Sequence, residues 1–235
     1  MAVPEALKQS IEPITVVTGH YGVGKTNLVL NMALDLAEEG LQVRVIDLDI
    51  VNPYFRSSEY QALLGNRGVS VVTPVMANSS LDTPSLSAAV DGTLEWARQE
   101  KGRVVLVDVG GDDAGATALG RYADRVSAGP YALVYVVNAY RNLTQSPEEA
   151  TAILREIEAA SHLQATAVVN NSHLRTETTA DTLAAAQPFG AAVAQQLALP
   201  LVARTTPIWC TAGIDTGKEN GVNYPIQMLV KTPWE

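Results

Sequence analysis

The chain has 235 residues, 47% of them hydrophobic, and is long enough to bury a substantial core. It carries 16 lysines and arginines against 25 aspartates and glutamates, a net charge of −9, which argues against a nucleic-acid partner because neutralising phosphates requires a basic face. Residues 1–13 lack an apolar stretch of signal-peptide length, and no apolar run is long enough to span a membrane. We therefore expect a cytoplasmic protein without nucleic-acid or membrane partners.

Short runs rich in β-branched residues alternate with helical patterns along the chain. Helices are predicted over 27–39 and 83–100, from the cap at Ser146 onward, and over 187–199. Continuous apolar strands that alternate with helices indicate an α/β fold, a parallel sheet covered on both faces. The predicted strands lie at 14–17, 43–48, 69–72, 104–107, 132–137, 165–169 and 201–203.

Directly after the first strand, residues 19–26 have the pattern Gly-x-x-x-x-Gly-Lys-Ser/Thr of a phosphate-binding loop (P-loop). In such a loop the glycines let backbone amides surround phosphates, Lys25 places a positive charge on the β and γ phosphates, and Thr26 offers a hydroxyl to Mg²⁺. Its place between a strand and a helix argues against a chance match. The residues expected to contact the nucleotide are Gly19, His20, Tyr21, Gly22, Val23, Gly24, Lys25, Thr26 and Asn27.

Carboxylates stand at the ends of two further strands. Asp47 and Asp49 are two residues apart, so both point the same way, and one can support a metal's water shell while the other orients an attacking water. The alternative is a strand end with solvated acids. Asp108 ends an apolar strand in the Walker B form, and Gly111 in the following Asp-x-x-Gly turn could present its amide to the γ-phosphate.

Together these motifs resemble the SIMIBI class of P-loop ATPases, which includes the MinD, ParA, CooC and nitrogenase iron protein groups. The resemblance covers most of the chain and implies one P-loop nucleotide-binding domain over 1–235. Its mostly parallel seven-stranded sheet would have the order 3-2-4-1-5-6-7, with helices on both faces. The resemblance also implies that Lys25 and Thr26 bind phosphate and Mg²⁺, that Asp47 and Asp108 support the metal, and that Asp49 orients the hydrolytic water.

The base is expected at the ends of two later strands. Guanine-specific loops read Asn-Lys-x-Asp, whereas residues 170–173 read Asn-Asn-Ser-His without an aspartate, and an Asn amide pairs well with adenine. ATP is therefore favoured over GTP. The nitrogenase iron protein has a similar Asn-Ser step, which points to Asn171 for the base and leaves Asn170 structural. Pro207 and Ile208 resemble the family's second adenine-side loop.

The second loop position departs from the family pattern. The family has there a lysine that reaches the phosphates of a dimer partner, whereas this chain has His20. A neutral imidazole lacks the fixed charge that stabilises a phosphoryl transition state, although it can be protonated beside phosphates. Arg56 is the first candidate for a replacement catalytic charge and Arg141 the second; an ordinary surface arginine is the alternative for both.

Other residues permit weaker interpretations. Tyr54 and Phe55 either form an apolar patch that one nucleotide state exposes or belong to the core, and the polar stretch 73–87 is the place where a client would bind. His162 and His173 have no partners at metal-ligand spacing, so solvated or capping roles are expected for both.

The sequence thus predicts an Mg²⁺-dependent ATPase switch that acts on a client protein and forms a homodimer with ATP bound. Two alternatives remain open. One is a small-molecule enzyme on the same scaffold, such as a ligase resembling dethiobiotin synthetase or a kinase. The other is a nucleotide-binding module that hydrolyses nothing. The client, the trigger for hydrolysis and the oligomeric state are not specified by the sequence.

Overall fold

The computed structural model describes residues 2–49, 57–73, 84–111, 113–211 and 221–231. The described strands form a single sheet with the order β3-β2-β4-β1-β5-β6-β7-β8, and every pairing in it is parallel. The strands are β1 (Ile14–Thr18), β2 (Gln42–Leu48), β3 (Ser70–Val72), β4 (Arg103–Val109), β5 (Tyr131–Val137), β6 (Ala167–Asn170), β7 (Leu201–Pro207) and β8 (Asn223–Ile226).

Helices cover both faces of this sheet. One hydrophobic cluster packs the sheet against α2, and a second packs the opposite face against α4, α7 and α9. Central strands such as β1 are therefore buried along their whole length, which explains their unbroken apolar sequence. The helices are α1 (Glu5–Lys8), α2 (Lys25–Glu38), α3 (Gln61–Gly65), α4 (Pro84–Gln99), α5 (Asp113–Gly120), α6 (Ala123–Ser127), α7 (Pro147–Ser161), α8 (Ala180–Ala185) and α9 (Gln187–Leu197).

The predicted fold class and the order of the seven predicted strands are confirmed. An eighth strand, β8, was not predicted, because it is only four residues long and contains Pro225. A proline lacks the N–H that a sheet ladder uses, and it is tolerated here because β8 lies at the edge of the sheet. The helix start at Ser146 is also confirmed: Ser146 and Glu149 form a reciprocal capping box in front of α7.

The parallel arrangement brings the carboxyl ends of β1, β2 and β4 to one edge of the sheet, where the P-loop and the strand-end carboxylates meet. Among the described helices, none combines the length and apolar character needed to cross a membrane. Three predictions, on Tyr54, Phe55 and Arg56, fall outside the described residues, as does most of the candidate client stretch.

Candidate functional site

The loop between β1 and α2 is seated tightly against its neighbours. Gly22 and Gly24 have φ angles of 75° and 95°, a conformation that residues with a Cβ rarely adopt. A Cβ on Gly24 would lie 2.3 Å from the side-chain nitrogen of Asn171, and one on Gly19 would lie 2.3 Å from the carbonyl oxygen of Val136. The glycines of the motif are thus required both by backbone conformation and by space.

Helix α2 begins at Lys25, directly behind the loop. The residue before it is Gly24, so no side chain caps the first amides of this 14-residue helix, and they are available to an anion. Lys25 is buried, and its Nζ donates to the carbonyl oxygen of His20 at 3.0 Å. The positive end of the helix and the lysine ammonium therefore meet in the curve of the loop, as phosphate binding requires.

Two carboxylates lie side by side beneath the loop. Asp47 on β2 and Asp108 on β4 are direct register partners, and both are buried. One oxygen of Asp47 accepts from the backbone N–H of Asp49 at 3.0 Å. One oxygen of Asp108 accepts from the Ser57 hydroxyl at 2.6 Å, while the other has no hydrogen-bond partner among the described residues.

The electrostatics of this pair favour a cation. Burial, and next the negative charge of Asp47, raise the pKa of Asp108 well above its usual range, although Ser57 and Lys25 act in the opposite direction. A carboxylate oxygen left unpaired in the interior is costly unless a ligand satisfies it. Carboxylates and the hydroxyl of Thr26 are the oxygen donors that Mg²⁺ prefers, so the residues present fit this ion.

Gly111 lies directly against the loop. A Cβ at this position would be 2.5 Å from the backbone nitrogen and Cα of Tyr21, and 2.7 Å from the Nζ of Lys25. The Asp-x-x-Gly turn after β4 is therefore in contact with the P-loop, and a phosphate held by Lys25 would lie within its reach.

A cavity of about 390 Å³ opens above the loop, a size suited to a small-molecule ligand. Asp49 and Gly111 line it on the β2 and β4 side of β1, and residues that follow β5 and β6 line it on the other side. Its lining consists of Tyr21, Gly22, Val23, Gly24, Lys25, Thr26, Asn27, Asp49, Gly111, Asn138, Arg141, His173, Arg175, Met228 and Val230. The structure thus brings most of the predicted phosphate-side residues to one space.

Asn171 lies beneath the loop and does not line the cavity. Its side-chain nitrogen donates to the carbonyl oxygen of Val23 at 2.6 Å, its side-chain oxygen accepts from the Thr205 hydroxyl, and the residue is fully buried. Because both ends of the amide are engaged with the protein, this geometry supports a role in holding the loop and does not support the expected adenine contact. Asn170 is structural, as expected: it donates to the carbonyl oxygen of Ala186 at 3.0 Å.

Pro207 and Ile208 are also away from the cavity. Pro207 ends β7, and Ile208 begins a short 3₁₀ turn in which its side chain is 44% exposed. Neither residue lines the cavity, and their expected contact with adenine stays a prediction. Met228 and Val230 from the segment after β8 line the cavity in their place.

That segment is held by the P-loop helix itself. The side-chain oxygen of Asn27 accepts from the backbone N–H groups of Leu229 at 2.8 Å and Val230 at 3.2 Å, and its nitrogen donates to the carbonyl oxygen of Gln227 at 2.9 Å. Asn27 was predicted to contact the nucleotide, and it does line the cavity. Its amide is at the same time committed to the chain's C-terminal segment.

Two more polar residues extend this contact along α2. Asn31 accepts from the backbone N–H of Gln227 at 2.8 Å and donates to the carbonyl oxygen of the same residue at 2.9 Å. Asp35 accepts from the hydroxyl of the buried Tyr224 at 2.9 Å. With Asn27 these residues recur every four positions and share one helix face. This polar stripe in an otherwise apolar helix is visible in the sequence, although the contact that it makes was not predicted.

His20 carries no fixed charge into the site. Burial, and next the positive charge of Lys25, lower the pKa of His20, so its imidazole is neutral near pH 7. Of the two candidate arginines, Arg141 is exposed at the cavity, and a Cβ on Gly22 would lie 3.6 Å from its Nε. The structure therefore places the Arg141 guanidinium over the loop.

His173 is buried beside the cavity, so the expected solvated role is wrong for it, but its side chain bonds the first backbone N–H of the short 3₁₀ turn Arg175–Glu177. His162 caps the end of α7. The Nδ1 of His173 accepts from the backbone N–H of Arg175 at 3.1 Å. Burial, and next the charges of Arg141 and Arg175, lower the pKa of His173 to about 4.

Comparisons with known proteins show a nucleotide-binding domain. The family model of the CobQ/CobB/MinD/ParA nucleotide binding domain matches residues 14–180. A cytosolic Fe-S cluster assembly factor, CFD1 from Kluyveromyces lactis, is 27% identical over 113 residues, which are 45% of this chain and 40% of that protein.

Solved structures show the same fold at low identity. The cell division protein FtsY of Thermotoga maritima has a TM-score of 0.57 at 19% identity, over 88% of this chain and 64% of that one. The signal recognition particle receptor FtsY of Elizabethkingia anophelis, in complex with GDP, has a TM-score of 0.55 at 18% identity, over 82% and 56%. The chain thus spans less than two thirds of each of these proteins.

The family match covers β1, the P-loop, the strand-end carboxylates of β2 and β4, and the strands that follow, up to the end of β6. The matched region therefore contains every residue of the phosphate side of the cavity. The chain belongs to the CobQ/CobB/MinD/ParA family of P-loop nucleotide-binding domains.

Proposed function

We propose that this protein is an Mg²⁺-dependent ATPase that acts as a nucleotide-driven switch for a client protein. The observation that carries the proposal is the shared space above the loop, in which Lys25, Thr26, Asp49 and Gly111 all line one cavity. Phosphate binding, orientation of a water and sensing of the terminal phosphate each need one of these groups, and the three tasks must be performed within a few ångströms of one another.

Asp49 is the proposed water-orienting carboxylate. It lines the cavity while remaining largely buried, and its backbone N–H is fixed by the carboxylate of Asp47 at 3.0 Å. Asp47 and Asp108 would support Mg²⁺, with Thr26 as a further oxygen donor; the ion, when bound, would neutralise charge on the phosphates. This division gives the two carboxylates of β2 different tasks.

The charge that replaces the family's lysine is proposed to come from Arg141. Its guanidinium lies beside Gly22 and lines the cavity, whereas His20 is neutral near pH 7. An arginine beside the phosphate loop would stabilise the charge that develops on bound phosphates without any second chain. Arg56 remains the alternative from the sequence.

ATP is the proposed nucleotide. On the side of the cavity away from the loop, the polar side chains that the structure describes in the lining are Asn138, His173 and Arg175, and none of them is a carboxylate. Guanine needs an acceptor for its N1–H and N2–H₂ groups, whereas adenine presents several ring acceptors to donors.

The switch role is supported by two contacts. Gly111 touches the loop at Tyr21 and Lys25, so a γ-phosphate would press directly on this turn. Ser57, which begins the short 3₁₀ turn Ser57–Tyr60, donates to Asp108 at 2.6 Å, so this turn is in contact with the proposed metal site. A change of occupancy would reach both segments, which is how such ATPases alter a client-binding surface. The similarity to an Fe-S cluster assembly factor agrees with a protein client.

We also propose that the ATP-bound form dimerises through the cavity mouth. Tyr21 lines the cavity yet is 57% exposed, and Leu143 in the loop after Arg141 is 64% exposed. Apolar side chains left open beside a binding site indicate a surface that a partner covers.

Phosphate release from ATP by the parental chain and by Asp49→Asn and Arg141→Ala variants tests the activity. An exposed acid outside the site, changed as Glu95→Gln, is the control for altered charge. Both site variants should bind Mg-ATP with parental affinity and release phosphate at least tenfold more slowly. Equal rates in all four proteins would refute the roles of Asp49 and Arg141. If the parental chain does not hydrolyse ATP with or without candidate clients, the proposed ATPase activity is refuted. If a product forms only when a metabolite is added, the protein is a ligase or kinase and not a switch.

A further inference from the structure

We infer that the segment 227–231 forms the nucleoside-binding wall of the cavity, and that the Nε2–H of His173 is the hydrogen-bond donor that recognises the base. The inference rests on the proposed binding of ATP and assigns its nucleoside half to residues that the loop motif does not include.

The wall is built from the C-terminal segment. Met228 and Val230 both line the cavity, so this stretch presents two apolar side chains to it. The backbone between them is held by Asn27, whose oxygen accepts from the N–H groups of Leu229 and Val230. Because Asn27 is in the first turn of α2, the wall is positioned relative to the phosphates by the same helix that binds them.

This wall is fixed on its other side as well. The backbone N–H of Lys231 donates to the Tyr60 hydroxyl at 3.0 Å, and Arg175 Nη2 donates to the carbonyl oxygen of Val230 at 2.7 Å. The five residues 227–231 are thus held by contacts with α2, with the turn before α3 and with the turn after β6. An ordered apolar wall of this kind suits the flat, apolar face of a base.

His173 supplies the polar recognition. Its Nδ1 accepts a hydrogen bond from Arg175, so in the neutral imidazole the proton is on Nε2. That Nε2 is buried and has no partner in the described part of the chain, although the residue, 6% exposed, lines the cavity. Buried donors are nearly always bonded, so this one calls for an acceptor from a ligand.

A purine base meets both requirements. Its ring nitrogens are acceptors in the plane of the ring, and its faces are apolar enough to contact Met228 and Val230. A small anion would satisfy His173 and the nearby arginines but would leave the apolar wall without a partner. His173 is two residues beyond Asn171 in the sequence, and the side-chain amide of Asn171 is already hydrogen-bonded to the loop.

Calorimetry with five ligands tests the inference: Mg-ATP, Mg-tripolyphosphate, and the three ATP analogues in which N1, N3 or N7 is replaced by carbon. Tripolyphosphate reports on the loop alone, so its binding shows that the phosphate site is intact whatever happens on the nucleoside side. We expect the parental chain to bind one of the deaza analogues about tenfold more weakly than ATP, the effect of one lost hydrogen bond to a base.

Variants on the same protein complete the test. His173→Phe should bind ATP and the weak deaza analogue equally, and Met228→Ser should lose ATP affinity about tenfold, both with unchanged binding of tripolyphosphate. Val222→Ser, a valine that does not line the cavity, is the matched control and should bind like the parental chain.

Equal affinity of the parental chain for ATP and all three analogues would overturn the role of His173, even if His173→Phe does not fold. Unchanged ATP binding by Met228→Ser would overturn the wall. If the parental chain binds neither tripolyphosphate nor ATP, the proposed function itself fails. If it binds tripolyphosphate as tightly as ATP, the phosphate site stands and the nucleoside wall is refuted.

Discussion

Substitution of Gly111 by alanine should weaken nucleotide binding while leaving the fold intact. The added methyl carbon would be 2.5 Å from the backbone nitrogen and Cα of Tyr21, whereas ordinary contacts begin at 3.4 Å. The two backbones must therefore separate by about 0.9 Å, a kind of overpacking that typically costs about 1–3 kcal/mol.

That displacement acts on the part of the protein that binds phosphate. The same methyl carbon would be 2.7 Å from Lys25 Nζ, which is flexible and can move aside, but the backbone of Tyr21 belongs to the loop and cannot move alone. If the separation is taken up by the loop, the strain appears as lost affinity, and about 1–3 kcal/mol corresponds to roughly 5- to 150-fold in the dissociation constant for Mg-ATP.

Titration calorimetry with Mg-ATP, together with thermal unfolding, measures both effects. Gly92→Ala is the matched control, since Gly92 lies within α4 with no atom close to an added Cβ, and this variant should be as stable as the parental chain or slightly more so. Parental affinity of Gly111→Ala for Mg-ATP would refute the reasoning, because it would mean that the turn after β4 can leave the loop without consequence.

Three further outcomes are expected. Asn31→Ala should lower the free energy of unfolding by about 1–3 kcal/mol, because the N–H and carbonyl oxygen of Gln227 lose their hydrogen bonds to this side chain. Chemical denaturation measures the change, and a loss below about 0.5 kcal/mol would contradict a role of Asn31 in holding the segment. His173 has a folded-state pKa of about 4 against an ordinary 6.5, so only the unfolded chain takes up this proton between these values, and stability falls as pH drops from about 6.5 to 4. The loss of unfolding free energy attributable to His173 is about 3 kcal/mol, and it is measured as a steeper dependence of stability on pH in the parental chain than in His173→Gln. The same pH dependence in both proteins would show that the imidazole is not buried in its neutral form near Arg141 and Arg175. Ser146→Ala should remove about 1 kcal/mol of stability through the lost capping box before α7 and leave the affinity for ATP unchanged, so a fall in affinity would show that α7 is coupled to the site.

The phosphate half of the site could be read from the sequence because its residues are consecutive or end on recognisable strands. The loop Gly19–Thr26 is a contiguous pattern with a mechanical reason for each glycine, and Asp47 and Asp108 follow unbroken apolar runs. A parallel sheet then brings strand ends to one edge whatever the details of the connections. The order of seven strands was predictable for the same reason.

The nucleoside half could not be read in this way. Whether Asn171 faces a base or the loop depends on one hydrogen bond to Val23, formed across 148 residues of sequence. The positions of Met228 and Val230 depend on a four-residue edge strand and on asparagines about 200 residues earlier. No local pattern specifies such pairings, although the four-residue spacing of Asn27, Asn31 and Asp35 was a sign that this helix face meets polar backbone.

The contact between Asn27 and Val230 spans 203 residues, almost the full length of the chain. On a ribosome the P-loop and its helix emerge about 200 residues before the segment that covers one side of the cavity. A partly synthesised chain would thus have a phosphate site whose cavity is open to water on one side. Closure of this side of the cavity therefore cannot precede synthesis of the segment 227–231.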